Sequence, residues 1–177
     1  MKMLKLPLSE EEISQLHAGD SVMLSGTIYT ARDCAHKRLF DLLDKNEQLP
    51  FDLNGALIYY AGPCPAPKGK ACGSCGPTTS ARMNSFAPRL LDAGLGGMIG
   101  KGEMSRETVE SIKRNKKVYF AAIGGAGAIY GNAVKKSDCI AFPELLSEAI
   151  HQLQVENFPL VVAIDCYGKS IYENDKN

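Results

Sequence analysis

Three short apolar segments, GALIYYAG (55–62), LGGMIGKG (95–102) and VYFAAIGG (118–125), each run into glycine, and stretches of helical spacing lie between them. That alternation restricts the chain more than any other feature. Strands alternating with helices of this length predict an α/β domain. The glycines gather in 62–76, 94–102 and 124–131. Glycine-rich turns after apolar strands let backbone approach a ligand closely, so a site built on loops is expected.

The flanking segments carry further local signals. Ser9, with Glu12 three residues on, has capping-box spacing and opens a short helix that Gly19 stops. Ser21–Asp33 is rich in β-branched residues and predicts a strand or strand pair kinked at Gly26. CAHKRLFDLLDKNEQ places Ala35, Leu39, Leu42 and Leu43 on one helical face. TTSARMNSFAPRLLDAG reads as a helix with Thr78 or Thr79 as N-cap, limited or kinked by Pro88. Ser105 caps an amphipathic helix with a basic last turn. GAGAIYGNAVKK predicts a loop and short helix, DCIAFPE a strand, and LLSEAIHQLQVEN mostly helix or turn. FPLVVAIDCYGKSIYEN predicts two strands around a turn at Tyr167–Gly168.

Composition narrows the function. The 177 residues correspond to one domain at ~150 residues each, and such a chain buries roughly two-thirds of its unfolded surface without disulfide or metal staples. Twenty basic residues balance twenty acidic ones. Zero net charge lacks the electrostatic footprint of a general nucleic-acid or membrane-surface binder, so neither partner is expected. The longest apolar runs, such as Leu160–Ile164, are too short to cross a bilayer. Acidic residues follow the N-terminal lysines before any apolar stretch develops, so no signal peptide and a cytoplasmic location are expected. The six cysteines are then expected as free thiols rather than structural disulfides. Cys34, Cys139 and Cys166 lie within or beside apolar segments and are expected in the core.

Two nucleotide signatures fail on spacing. GLGGMIGKG ends like a phosphate-binding loop, but Leu95 stands where its first glycine belongs and Gly102 where it needs a hydroxyl. GAGAIYG is one residue too long for a dinucleotide fingerprint, and a tight turn packed on another segment is the plainer reading. Cys64, Cys72 and Cys75 could hold a redox pair, a zinc with an outside ligand or three corners of an iron–sulfur cluster; small residues filling a tight loop are the plainer reading. Two polar clusters say more. TARDCAHKR sets Arg32, Asp33, His36, Lys37 and Arg38 directly after a strand. GPTTSARM offers Thr78, Thr79 and Ser80 with Arg82 one helical turn from Thr78. Lys101 sits between glycines at a third strand end. Amides at a helix start, a guanidinium on the same face and cations at strand-to-loop junctions suit a small polyanion such as a dicarboxylate. Solvated surface charges beside an N-capped helix are the alternative.

SGTIYTARDCAHKRL, GPCPAPKGKACGSCGPTTSARMNSF and GMIGKGEMS together resemble the β-subunit, equivalently the C-terminal domain, of the class I fumarase and L-tartrate dehydratase family of iron–sulfur hydro-lyases, from about Leu6 to Tyr172. The resemblance implies a swivelling β/β/α domain, a single compact unit over residues 1–177, and reversible dehydration of a hydroxy-dicarboxylate (malate to fumarate, or tartrate to oxaloacetate). It also implies a four-iron–four-sulfur cluster held by three cysteines of a partner α-subunit, activity only with that partner, and it leaves β–β self-association open. By the same resemblance Arg32, Arg82 and Lys101 bind substrate carboxylate, Thr78 is the candidate catalytic hydroxyl, and Asp33 and His36 orient Arg32 and Thr78. Asn84 stands where aspartate is usual, and the Cys72/Cys75 pair departs from the family loop. Two readings from other classes remain: a non-catalytic anion-binding or assembly module, and a thiol or metal protein centred on Cys64, Cys72 and Cys75.

Overall fold

The computed structural model describes residues 1–173. Asn174, the last residue of the C-terminal strand pair expected above, lies outside the described residues, as does the end of the 1–177 span. The strands are β1 (Lys2–Lys5), β2 (Ser21–Thr30), β3 (Leu57–Tyr59), β4 (Gly97–Gly100), β5 (Val118–Ala121), β6 (Val134–Ala141) and β7 (Ile150–Ile164). The helices are α1 (Glu10–Ser14), α2 (Asp33–Asp44), α3 (Ala87–Asp92), α4 (Arg106–Asn115) and α5 (Gly127–Ala133), with 3-10 turns at Ser80–Met83 and Pro143–Glu148.

The seven strands form one mixed sheet in the order β1-β2-β3-β4-β5-β7-β6, as the α/β alternation predicts. The sequence β2-β3-β4-β5 is parallel. β7 pairs antiparallel with both β5 and β2, so those five strands close on themselves and leave no open edge between them. β1 and β6 flank the closure, on β2 and β7 respectively.

Alternation along the strands divides the apolar residues between two cores. Leu57, Tyr59, Ile99, Val118 and Phe120 join Ile28, Leu153, Phe158 and Val162 in one cluster. Ile58, Tyr60, Met98 and Tyr119 turn the other way, onto Ala35, Leu39, Leu90, Leu91 and Ile112 of α2, α3 and α4. Gly26 is the kink in β2. Its φ is +132°, the ladder to β7 shifts register there, and an added Cβ would stand 2.7 Å from Leu6 Cβ.

Local signals are realised at several points. Ser9 Oγ accepts from Glu12 N at 3.1 Å and Glu12 Oε2 accepts from Ser9 N at 2.8 Å, a complete capping box. Ser105 Oγ accepts from Thr108 N at 3.2 Å and caps α4. Four expectations need correction. LLSEAIHQLQVEN is not helical beyond Glu148: from Ile150 it is the first half of β7. The segment from Thr78 is a four-residue 3-10 turn followed by a separate α3, so there is no α-helix start at Thr78. Cys139 is exposed and Cys34 half-buried, leaving only Cys166 of that trio in the core; Cys139 sits on β6, whose residues are largely exposed. The C-terminal pair reduces to β7 and a single bridge between Ile164 and Ser170 around the expected turn.

Candidate anion-binding site

Parallel strands carry their ligands outside their carboxyl ends. In this chain β2 ends at Thr30, β3 at Tyr59, β4 at Gly100 and β5 at Ala121. Arg32, Gly62, Lys101 and Gly124 follow those four ends within one to three residues. At about 4.8 Å between adjacent strands, the backbones of β2 and β4 stand roughly 10 Å apart, a gap two long cationic side chains can close over a small dianion.

Backbone bonds seat the hydroxyl segment between these ends. Thr78 N donates to Tyr60 O at 2.7 Å, and Ser80 N donates to Lys101 O at 2.9 Å. Thr79 and Lys101 form a parallel bridge, extending the β4 edge by one pair. Ser80 is fully buried. Its Oγ accepts from Lys101 N at 2.9 Å and bonds the Tyr119 hydroxyl at 2.8 Å, and Tyr119 also donates to Gly102 O at 2.8 Å. Sequence reading grouped Ser80 with the ligand hydroxyls. The structure makes it the peg that fixes Lys101 instead. Gly100 is what admits that peg, since a Cβ there would overlap Ser80 Oγ and come within 2.8 Å of the Tyr60 ring.

Arg82 reaches back across the turn. Its Nη2 donates to Thr78 Oγ1 at 2.7 Å, and its Nε lies 3.6 Å from Asp33 Oδ2. Asp33, Thr78 and Arg82 are thus one connected group, although the turn that carries Thr78 and Arg82 is 3-10 rather than α. A guanidinium donating to a hydroxyl oxygen stabilises negative charge on that oxygen. Arg32 stands alone. Its Nε is buried with no hydrogen-bond partner among the described residues, while its Cδ and Nη1 pass 3.4 Å from where a Gly62 Cβ would be. An unpaired buried donor on a cation is costly, and an oxyanion is what would satisfy it. Lys101 drapes its stem over Gly124, whose added Cβ would meet Lys101 Cδ at 3.0 Å. Among the described residues, Arg32 and Lys101 make no ion pair with a carboxylate.

His36 plays a different part. It is fully buried between the rings of Tyr60 and Phe86, at centroid distances of 5.6 and 5.1 Å. Its Nδ1 lies 2.8 Å from Arg32 O, and its Nε2 has no partner among the described residues. Burial holds its pKa at about 4, so near neutrality the ring is uncharged and Nδ1–H donates to Arg32 O. It therefore steadies the backbone that carries Arg32. Asn84, where a charge was in question, uses Oδ1 to accept from Ser105 N at 2.9 Å and from Thr108 Oγ1 at 3.0 Å. That job needs an acceptor and not a charge.

Sequence reading expected helix or turn from Leu145 but gave the Pro143–Glu148 turn no part in the site. Ser147 O would stand 2.6 Å from a Cβ at Gly62, and Glu148 Oε1 accepts from Cys34 N at 3.3 Å, so this turn walls the Arg32 side. No motif pointed to it, because its contribution is mostly backbone. The donors on the face are guanidinium, ammonium and hydroxyl, which do not suit an iron–sulfur cluster. Among the described residues no group of three or more His, Cys, Asp or Glu is placed to hold a metal ion. Nor is any helix among them long and apolar enough to cross a membrane.

Fold and face together define an α/β protein that presents, at the carboxyl ends of parallel strands, cations without a carboxylate partner among the described residues and a guanidinium-held hydroxyl. Residues 2–175 match the family model described as the fumarase C-terminus, and the chain belongs to that family. It is 43% identical over 172 residues to the "Putative L(+)-tartrate dehydratase subunit beta" of Methanocaldococcus jannaschii, covering 94% of this chain and 88% of that protein. It is 38% identical to fumarate hydratase 2 of Leishmania major and 37% to the aerobic class I fumarate hydratase of Escherichia coli K12, covering 96% of this chain each time. The matches span only 30% and 32% of those two hydratases.

Proposed function

We propose that this chain is the β-subunit of a hydro-lyase that reversibly dehydrates a hydroxy-dicarboxylate, malate to fumarate or tartrate to oxaloacetate. The observation that carries the reading is the pair of cations without carboxylate partners among the described residues, Arg32 and Lys101, on either side of the Thr78–Arg82 couple. The names of the relatives on both sides of the family agree with it.

In this reading Arg32 and Lys101 take substrate carboxylate oxygens. Arg82 shares its guanidinium between the Thr78 hydroxyl and carboxylate. Removing a C–H proton beside a carboxylate throws negative charge onto its oxygens, and cations already fixed in place stabilise that charge without reorganising. Thr78 Oγ1, held by Arg82, is the group that moves the proton; Asp33 holds Arg82 and His36 holds Arg32. The iron–sulfur cluster that the family resemblance implies finds no fitting ligand set among the described residues, so this reading assigns it to an α-subunit, with binding and proton transfer as this chain's share. Ile123 and Ile129, 61% and 59% exposed just beyond β5, give the same end of the molecule an apolar margin suited to that partner.

The test is reconstitution. The chain, co-expressed with a candidate cluster-bearing subunit, is expected to dehydrate malate or tartrate, and the Arg32→Ala chain in the same complex is expected not to. Dicarboxylate binding without turnover in a verified cluster-loaded complex would favour the anion-binding module instead.

A further inference from the structure

The 63–77 loop holds three thiols that the hydration chemistry leaves unused. Cys64 N donates to Ser74 O at 2.9 Å and Gly73 N donates to Cys64 O at 3.1 Å, so Cys64 lies paired against the turn between Cys72 and Cys75. A side chain at Gly73 would meet Pro65 O at 2.5 Å and Cys64 Cβ at 3.1 Å, which keeps that turn tight. Cys75 is anchored by its backbone: Tyr59 Oη donates to Cys75 O at 2.6 Å, and Cys75 N donates to Gly127 O at 3.0 Å. Cys72 and Cys75 share one core cluster, 4% and 0% exposed, on either side of the tight Gly73–Ser74 turn, and the Cys72 thiol donates to Gly73 O at 3.0 Å. Cys72 is nevertheless reachable. It lines a cleft of about 610 Å³ with Pro63, Cys64, Ala71, Leu146 and His151, and Cys64 in that lining is exposed.

We propose that Cys72 and Cys75 form a reversible dithiol–disulfide pair, with the cleft admitting a small-molecule disulfide to Cys72. In the first step the Cys72 sulfur, its proton lost to solvent, attacks one sulfur of the small disulfide. The S–S bond of the reagent breaks, and one reagent thiolate leaves and takes up a proton. In the second step Cys75 loses its proton and attacks the Cys72 sulfur of the mixed disulfide, expelling the second reagent thiol. Two protein sulfurs are oxidised and two reagent sulfurs reduced.

The environment supports this order. The neighbouring Cys75 thiol holds Cys72 below its ordinary range, whereas Cys72 and burial push Cys75 up. Capping Cys72 removes the neighbouring charge that holds the Cys75 proton, so the resolving step becomes easier once the first has occurred. Neither step involves Arg32, Thr78, Arg82 or Lys101, so the pair stands whether or not the chain is a hydro-lyase subunit.

The experiment treats the full folded chain with hydroxyethyl disulfide, alkylates remaining thiols, digests it and weighs the peptides. A Cys72–Cys75 cross-link with two hydrogens lost, reversed by dithiothreitol, is the expected result. The Cys75→Ser chain is expected to retain one reagent half on Cys72. Recovery of Cys72 and Cys75 as alkylated free thiols in the wild-type chain would overturn the proposal. So would reagent left on Cys72 without cross-linking; both outcomes are read without a variant that must fold.

Discussion

At the residue scale the two arginines do different work, and their substitutions separate accordingly. Arg32 offers a buried guanidinium nitrogen with no hydrogen-bond partner among the described residues, so Arg32→Ala is expected to remove a binding group without breaking an ion pair there. Arg82 already serves Thr78 and Asp33, so Arg82→Ala also frees the hydroxyl. In a desolvated complex either loss is expected to cost roughly 2–5 kcal/mol. That is about thirty- to several-thousand-fold in kcat/KM at ~1.4 kcal/mol per decade. Midpoints of urea unfolding are expected to stay close to wild type, since Arg82 is half exposed and its pair with Asp33 is loose. Arg82→Lys should recover little, because an ammonium cannot hold the hydroxyl and a carboxylate in one plane. Steady-state kinetics on the three assembled variants checks this, and near wild-type turnover in an alanine variant removes that residue from the site. His36 makes a prediction about pH. Its folded pKa of about 4 lies below the 6.5 of an unburied ring, so between those values the unfolded chain binds the extra proton. Its stability contribution is therefore intact above pH 6.5 and declines toward pH 4, by up to about 3 kcal/mol at 1.36 kcal/mol per unit. Asp20 and Asp92 also lose stabilising bonds in acid, so the measurement compares wild type with His36→Phe. The gap between their urea midpoints should move in the variant's favour as pH falls through that window; a constant gap would show that His36 titrates normally.

At the scale of elements, what local chemistry announces is what the sequence made readable. The capping box at Ser9, the Ser105 cap and the β2 kink at Gly26 are short-range patterns, and each is where it was expected. The cations of the face were readable too, because each follows an apolar strand. β7 was not. Leu145, Ala149, Ile150 and Leu153 satisfy helical spacing while Leu153 and Val155 already alternate, and only pairing with β2, β5 and β6 decides between them. β1 was missed because four residues with one buried side chain carry almost no pattern. The turn at Ser80–Met83 was taken for a helix because its Thr78–Arg82 spacing suits one; the bonds of Ser80 to Lys101 and Tyr119 override that. This junction yields an element-scale prediction. Ser80→Ala leaves Lys101 N without its acceptor and is expected to cost about 1–3 kcal/mol of stability. Gly100→Ala places a methyl group where Ser80 Oγ stands, so the turn must lift off the β4 edge and carry Thr78 with it. Gly100→Ala is expected to lose more activity in the assembled enzyme than Ser80→Ala. Paired denaturation and turnover measurements on both variants check this, and equal activity would mean that the turn does not set the position of Thr78.

At the scale of the whole molecule, this chain supplies one part of the proposed site. The chain brings cations and a hydroxyl to one end of a closed sheet, and the hydration reaction also needs help with a poor leaving group, hydroxide. In the proposed reading the side chains on that face bind anions and shift protons, and the ligands for a Lewis acid come from elsewhere in the complex. A site divided in this way sits at a subunit boundary, so in the isolated chain its cations meet water. Exposed cation–carboxylate pairs contribute only about 0–1 kcal/mol each, and salt screens them. The isolated chain is therefore expected to bind dicarboxylates weakly, to lose that binding as salt rises, and to show no hydro-lyase turnover after metal reconstitution. The partner should cover the face together with its apolar margin. Ile129→Asp, at a position already 59% exposed, is then expected to leave the fold intact and to weaken assembly. Size-exclusion chromatography of the mixed subunits reads assembly, and a coupled assay reads turnover on the same fractions. Robust malate or tartrate dehydration by the single chain would refute the divided site, and undiminished assembly of the Ile129→Asp chain would move the interface away from this end of the sheet.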